Sequence, residues 1–377
     1  MGADVRLTWD QVLAWRLARQ GVGGAAGVPS DPVGLVAHLA GVQAQVESSA
    51  AQVLAVRGAG RVDLDRLLWR DRALLKTWAM RGTLHLLPAA EWRTWIAVMR
   101  TRQWRITAGW ERYHGITKAE LEAVTAAIPE ALVDDPLTRD ELADRIAGIT
   151  GHDHLGDVLR SGWAQVFKPA ANQGLLCQGP PRDRATTFTS PEAWLDGAPR
   201  VEPDPHEAAT TVLARFLDVS GPATRDDVAR WLGVTPKEAR LLLADHADAL
   251  VEVDVEGSAG WMTPAGAAAA AEAGSPEGVV LLPGFDPWVL APLSHRAHTI
   301  PTGHVDDVSR KAGWISPVLL VDGRVAGTWE PSIDGGVATV TVTPFRTLPE
   351  AVVAAARRHA EATYAGLLAD EVRLVVR

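Results

Sequence analysis

A single cysteine, Cys177, among 377 residues excludes an internal disulfide and any Cys-rich zinc site. No apolar run is long enough to span a bilayer. The start, "MGADVRLTWDQ", puts charges where a secretory signal carries its apolar core, and Val5 and Arg6 do not supply the Ser or Thr of a myristoylation signal. A cytoplasmic protein without a membrane partner is expected. A Gly-rich phosphate loop, a Ser elbow and a catalytic carboxylate pair are also missing. His152-Asp153-His154 lacks zinc spacing and a third ligand, so it reads as a loop and helix cap. No metal and no cofactor are expected.

Positive charge is scarce overall. The net charge of −9 argues against non-specific nucleic-acid binding by the whole surface. The charge is uneven, however. Residues 1–110 carry 14 Lys and Arg against 8 Asp and Glu, a net of +6, while the remainder has a net of −15. Such asymmetry fits one anion-facing surface, or simply arginine-rich helices. Hydrophobic residues make up 47%, so the chain is globular and long enough for two to four domains with a substantial core.

An internal repeat organises the middle of the chain. "PLTRDELADRIAG" (136–148) and "PATRDDVARWLGV" (222–234) share Pro, Thr-Arg-Asp, an acid, an aliphatic residue and Ala. Thr138 and Thr224 are predicted N-caps, with Glu141 and Asp227 as reciprocal partners three residues on. Leading helices are expected at 117–132 and 205–220. Second helices are expected in "HLGDVLRSGWAQVFKPAANQ" and "TPKEARLLLADHADAL". Hairpins follow in "GLLCQGPPRDRATTFTS", with its tip at Pro-Pro-Arg-Asp-Arg, and in "LVEVDVEGSAGWMT", around Gly-Ser-Ala-Gly. Helix, helix, hairpin is the winged-helix order.

The N-terminal segment fits the same plan, with helices at 8–19, 31–42, 48–57 and 63–72 and a strand pair at 74–88 turning at Arg81-Gly82. Beyond "GSPEG", strands are expected in "VVLLPGFDPWVL", "WISPVLLVDGRVAGTW" with an Asp-Gly turn, "GVATVTVTPF" and "EVRLVV", with a helix over 348–367. The expected fold is therefore α+β: three tandem winged-helix units at 1–115, 116–200 and 201–274, then a β-rich, barrel-like domain at 275–377.

"GVQAQVESSAAQ" holds Gln43 and Gln45 at i and i+2, which on a helix point about 200° apart. Both amides can face one cleft only if the helix ends near Val42, with the next helix capped by Ser48 or Ser49. The pair then suits holding a water or reading a base edge. The plain alternative is two capping or surface glutamines. His85, in "RGTLHLLP", shares a strand face with Thr83 and reads as a half-buried histidine satisfied by hydrogen bonds or as a functional one. Arg182 and Arg184 at a hairpin tip, and Arg81 at another turn, look like phosphate-contacting positions or ordinary solvated turns. Ser294, His295, Arg296 and His298 form a polar, loop-like or hairpin stretch between Pro292 and Pro301, either a surface connection or a DNA-gripping finger.

Together, "GVQAQ", "KTWAMRGTLHLLP", "LLPGFDPWVLAP" and "AGWISPVLLVDGRVAGTW" resemble the AlkZ/YcaQ-type winged-helix DNA glycosylases over nearly the whole chain. The resemblance implies a glycosylase acting on double-stranded DNA that contains N-alkylated purines. Bulky N7-alkylguanine adducts and interstrand crosslinks are included. The absence of a candidate lysine nucleophile beside Gln43 and Gln45 favours a monofunctional enzyme over a lyase. Gln43 and Gln45 are then the expected catalytic pair that orients a water. A crosslinked guanine calls for an open concave surface, which three winged units in an arc could provide, and a monomer is expected. Arg81, His85, Arg182, Arg184, His295, Arg296 and His298 are then the candidate DNA contacts. Many relatives are expected to carry a Gly and an Asp-Arg pair after "FDPWVL". Here the chain reads "APLSHRAH", a departure that suits a specialised member protecting an antibiotic producer from its own DNA-alkylating product. The competing readings are a winged-helix transcription regulator, disfavoured by the net acidic "TPKEARLLLADHADAL", and a protein-interaction scaffold.

Overall fold

A computed structural model describes residues 5–24, 27–102, 104–161, 165–195, 201–290 and 292–377. Two compact units emerge. One comprises Met1–Asp63, Leu213–Trp231 and Thr235–Arg377, and the other Leu64–Val212 with Leu232–Val234.

The second unit opens with the antiparallel hairpin Leu74–Trp78 and Leu84–Pro88, in which Thr77 faces His85. Its turn runs through Arg81 and Gly82, both with positive φ (55° and 65°). The Trp92–Arg100 helix follows. The first repeat then reads as the Lys118–Ala131 helix, the short Leu137–Thr138 strand, the Arg139–Thr150 and Asp153–Arg160 helices, and a hairpin of Cys177–Arg182 with Ala185–Thr189. Residues 162–164, part of the expected second helix, lie outside the described residues. Leu137 pairs with Phe188, so the short strand lies beside the last one. Thr138 accepts from the Glu141 amide while Glu141 accepts from the Thr138 amide, a capping box that starts the helix where the spacing predicts. Positive φ at both Asp183 and Arg184 gives the hairpin a tight two-residue turn. Val124, Ile128, Leu142, Ile146, Leu155, Phe167 and Phe188 form the unit's core.

The first unit holds the second repeat and the C-terminal sheet. Thr224 and Asp227 form the expected reciprocal cap, and Thr235 with Glu238 caps the Pro236–Asp245 helix in the same way. The hairpin pairs Val251–Val255 with Ser258–Met262. Its turn is Glu256-Gly257, with φ of 51° and 90°, and not the expected Gly-Ser-Ala-Gly. Gly260 instead lies within a strand, where a Cβ would come within 2.9 Å of Pro222 Cβ. Val5–Leu7 adds a third strand, parallel to Val251–Val255.

The C-terminal sheet orders its strands as Val279–Leu282, Val318–Val321, Arg324–Asp334, Val337–Pro344 and Glu371–Val376. It is open, with all neighbours antiparallel except the last pair. The Asp322-Gly323 turn has the expected positive φ at both residues. The Glu350–Tyr364 helix packs on both edge strands, and Tyr364 Oη donates to the Leu281 carbonyl at 2.8 Å. Leu13 and Leu17 of the Trp9–Arg19 helix enter the same core as Leu319, Val340 and Trp329. "VVLLPGFDPWVL" is strand only to Leu282. Phe285 takes a positive φ of 60°, and Pro287–Leu290 forms a helical turn begun by Asp286, whose Oδ1 accepts from the Trp288 amide. Among the described residues no helix is long and apolar enough to cross a membrane.

Candidate functional site

The Pro32–His38 helix is capped by Asp31 and ended by Ala40 and Gly41, both with positive φ. The chain then extends through Val42–Gln43, bends at Gln45 and re-enters helix at Glu47–Leu54. The two glutamines therefore sit off the helix at an interhelical corner. Val46, not Ser48 or Ser49, occupies the N-cap, and no side chain caps that end. Val42 and Ala44 are wholly buried and anchor the corner. Gln43 is only 7% exposed, whereas Gln45 faces outward. One glutamine is thus buried and the other solvent-exposed.

The loop Gly284–Asp286 lies close to this corner. A Cβ on Gly284 would sit 3.0 Å from the Ile315 carbonyl and 3.6 Å from Ser49 Oγ. Asp286 fastens the loop. Its two oxygens accept from Arg57 Nη1 and Nη2, both at 2.8 Å, and both side chains are fully buried. Arg57 follows directly on the helix that begins after Gln45, and it also donates to the Val53 carbonyl at 3.0 Å. This bidentate pair ties the far end of that helix to the C-terminal part of the chain.

A second buried centre is built on Arg16. Its Nη1 donates to His295 Nδ1 at 2.9 Å, its Nη2 donates to the Trp288 carbonyl at 3.3 Å, and its guanidinium lies 4.4 Å over the Trp288 ring. Burial pushes Arg16 down to about 9, opposed by Asp286 and Asp227. His295 Nε2 donates to the Pro222 carbonyl at 2.7 Å, so the ring is neutral with its proton on Nε2. Burial, then the Arg16 charge, holds His295 well below the ordinary histidine range.

These contacts revise the expected DNA-contacting set. The 294–299 stretch is a 3-10 turn followed by one helical turn, Arg296–Thr299, and not a loop-like finger. His295, at 1% exposure with both ring nitrogens bonded inside the protein, is a core residue and not part of a surface finger. His298 stacks on Trp9 at 3.8 Å, and burial is the main cause that keeps its pKa lowered. Arg296 is half-buried and donates to Ser309 Oγ at 3.2 Å. In the second unit, His85 is 2% exposed and its Nδ1 donates to the Thr83 carbonyl at 2.9 Å. Burial, then Arg81, lowers it to about 3, so it brings no charge to a phosphate. Arg182 is ion-paired with the capping residue Glu141, while Arg184 is exposed at the adjoining turn. His154 Nε2 lies 2.9 Å from Glu120, and the expected helix cap is only positional: His152 occupies the N-cap of the Asp153–Arg160 helix without a side-chain cap hydrogen bond. Arg57, Asp286 and Arg16 were not singled out by sequence reasoning. The available signal was a lone arginine in the apolar run "VLAVRGAG" and a lone aspartate in "PGFDPW".

A family model described as "DNA glycosylase AlkZ-like" matches residues 36–367. The chain belongs to this family. As an AlkZ-like protein it is a DNA glycosylase, and the regulator and scaffold readings fall away. Among its relatives, an "Interstrand DNA cross-link repair glycosylase" from Streptomyces sahachiroi is 38% identical over 347 residues, covering 90% of this chain and 91% of that protein. The solved structure of the Streptomyces sahachiroi DNA glycosylase AlkZ is similar with a TM-score of 0.85 and 35% identity, covering 99% of this chain and all of that one. The mixed α+β architecture is thus that of a known AlkZ-like fold.

Proposed function

We propose that this AlkZ-like glycosylase hydrolyses the N-glycosidic bond of N-alkylated purines, above all bulky N7-alkylguanine adducts and interstrand crosslinks, as a monofunctional enzyme and a monomer. The observation that carries the reading is the Gln43–Gln45 corner: a buried glutamine two residues from a solvent-exposed one, on backbone that has left the helix. The similarity to a crosslink repair glycosylase over 90% of the chain supports the substrate class.

An N7-alkylguanine is cationic and already a good leaving group, so little acid catalysis is required. The C1′–N9 bond breaks toward an oxocarbenium-like state. The protein must hold a water beneath C1′ and tolerate developing positive charge. Neutral amide oxygens of Gln43 and Gln45 suit both tasks without a charged base. A crosslinked guanine cannot leave its partner strand freely, which favours an open surface over a closed base pocket. Helix, strand, helix, helix, hairpin order over 118–189, and the capped helices and hairpin of 205–262, support winged-helix modules at 116–200 and 201–274. We assign a third to 1–115 and the β-rich remainder to 275–377. Arg81, Arg184 and, when released from Glu141, Arg182 are the proposed phosphate contacts, with Arg296 and His298 gripping distorted sites. The "APLSHRAH" departure supports a role in self-resistance to a DNA-alkylating product.

The deciding experiment is single-turnover excision of N7-methylguanine at saturating protein. Gln43→Ala or Gln45→Ala is expected to slow base release by about 10²-fold, with DNA affinity and Tm nearly unchanged. Full activity in the double variant would remove the assignment.

A further inference from the structure

The second unit contains a cationic cluster that the glutamine corner does not use. Arg102 follows the Trp92–Arg100 helix, and Lys168 opens the short Lys168–Asn172 helix. A Cβ built on Gly82 would lie 3.6 Å from both Arg102 Nη atoms and 3.7 Å from Lys168 Nζ. Two side chains distant in sequence thus converge on one point at the turn of the 74–88 hairpin. The Arg102 guanidinium lies 4.5 Å over the Trp104 ring. It also packs on Gly233 of the same unit, where a Cβ would come within 2.7 Å of Cζ.

Among the described residues, neither Arg102 nor Lys168 has an acidic partner, and Arg102 Nη1 is buried without a hydrogen bond. Burial, then Arg102, pushes the Lys168 ammonium down to about 8. Burial lowers Arg102 as well, and His114 is lowered by burial and then by the Lys168 charge. Cations crowded together and partly desolvated are unfavourable unless an anion joins them. A Cβ at Gly82 would make ordinary contacts with both cations, so the turn brings its backbone close to them, and its φ of 65° belongs to the region where glycine is at ease.

We propose that Gly82, Arg102 and Lys168 form a phosphate site that grips the sugar–phosphate backbone of the DNA. The Arg102 guanidinium would donate to an oxyanion position and Lys168 would add a point charge. The proposal rests on DNA being the substrate, and it concerns binding, so it stands or falls separately from the glutamine chemistry.

The test uses the full chain and an undamaged duplex, which removes base release from the measurement. Kd is followed against salt for the parent, Lys168→Gln and Arg102→Gln. Each variant is expected to reduce the log–log salt slope by about one unit and to weaken damaged and undamaged DNA by the same factor. Lys168→Gln should keep or raise Tm, because it relieves repulsion, so it remains informative even if Arg102→Gln fails to fold. Inorganic phosphate is titrated in parallel at low salt, with Tm as readout. Parental salt slopes in the folded variants overturn the proposal. A Tm rise with inorganic phosphate in the parent but not in Lys168→Gln, together with unchanged slopes, also overturns it and makes this a site for free phosphate only. Loss of excision in the Gln43 and Gln45 variants leaves these outcomes unaffected.

Discussion

Asp286→Asn would leave the Arg57 guanidinium buried without its counter-charge. Both side chains are fully shielded, and both carboxylate oxygens are engaged by Arg57 at 2.8 Å, with one also accepting from the Trp288 amide. An asparagine keeps one acceptor but points an amide N–H at an arginine that can only donate. Removing one member of a buried pair costs about 3–5 kcal/mol. In a unit of this size each kcal/mol moves Tm by about 2–4 °C, so a fall of roughly 6–20 °C is expected. The apolar double replacement Arg57→Met, Asp286→Leu removes both charges and should recover most of the loss. The assay is thermal unfolding followed by circular dichroism, with urea unfolding to confirm that m is unchanged. Because Arg57 trails the helix that starts beside Gln45, Asp286→Asn should also slow single-turnover excision below its melting range. A Tm within about 2 °C of the parent would refute the reasoning, since the charge would then have found another partner or water.

Glu141→Gln retains a capping side chain at the Arg139–Thr150 helix but frees Arg182 from its ion pair. DNA affinity should rise a few-fold at low salt, while Arg184→Ala lowers the salt slope by about one unit; equal Kd values in Glu141→Gln and the parent would mark the tip as solvated. Arg296→Ala and His298→Ala spare the buried His295 and are expected to keep N7-methylguanine excision while crosslink unhooking falls at least tenfold, about 1.4 kcal/mol in barrier. Matching losses on both substrates would discard that role. Lys168 gives a pH test, with Arg102 and His114 as the charged or titratable neighbours that act on it or feel it. Its folded value of about 8 lies below the ordinary 10.5, so between these limits the unfolded chain holds a proton that the folded chain lacks. Stability relative to Lys168→Gln should therefore rise from pH 8 to 10.5 while DNA affinity falls. A flat affinity profile across pH 8 would contradict it.

Local chemistry was the legible part of the fold. Thr138 with Glu141, Thr224 with Asp227 and Thr235 with Glu238 announce three helix starts within four residues each, and Asp322-Gly323 announces its turn. Features that depend on distant partners were hidden. Asp227 also accepts from the Ser294 amide and hydroxyl, at 3.2 and 2.6 Å, a bond across 67 positions that no cap pattern reveals. Gly260 resembles a turn residue, yet it is needed for close approach to Pro222. The glutamine corner was legible as a break after an apolar helix, but the unequal exposure of its two amides was not. His295 looked like surface because a histidine flanked by Ser and Arg in a Pro-bounded stretch reads as polar. Its burial depends on Arg16, 279 positions earlier.

The parallel pairing of Val5–Leu7 with Val253–Val255 has a consequence for synthesis. The unit to which both belong is assembled from three stretches of chain, whereas Leu64–Val212 is nearly continuous. On a ribosome the continuous unit can close while the apolar face of the Trp9–Arg19 helix still waits for Leu319 and Val340. At about 5–20 residues per second, that wait is on the order of tens of seconds. Nascent chains stalled near residue 275 should therefore show protease protection over 64–212 and cleavage within the first helix.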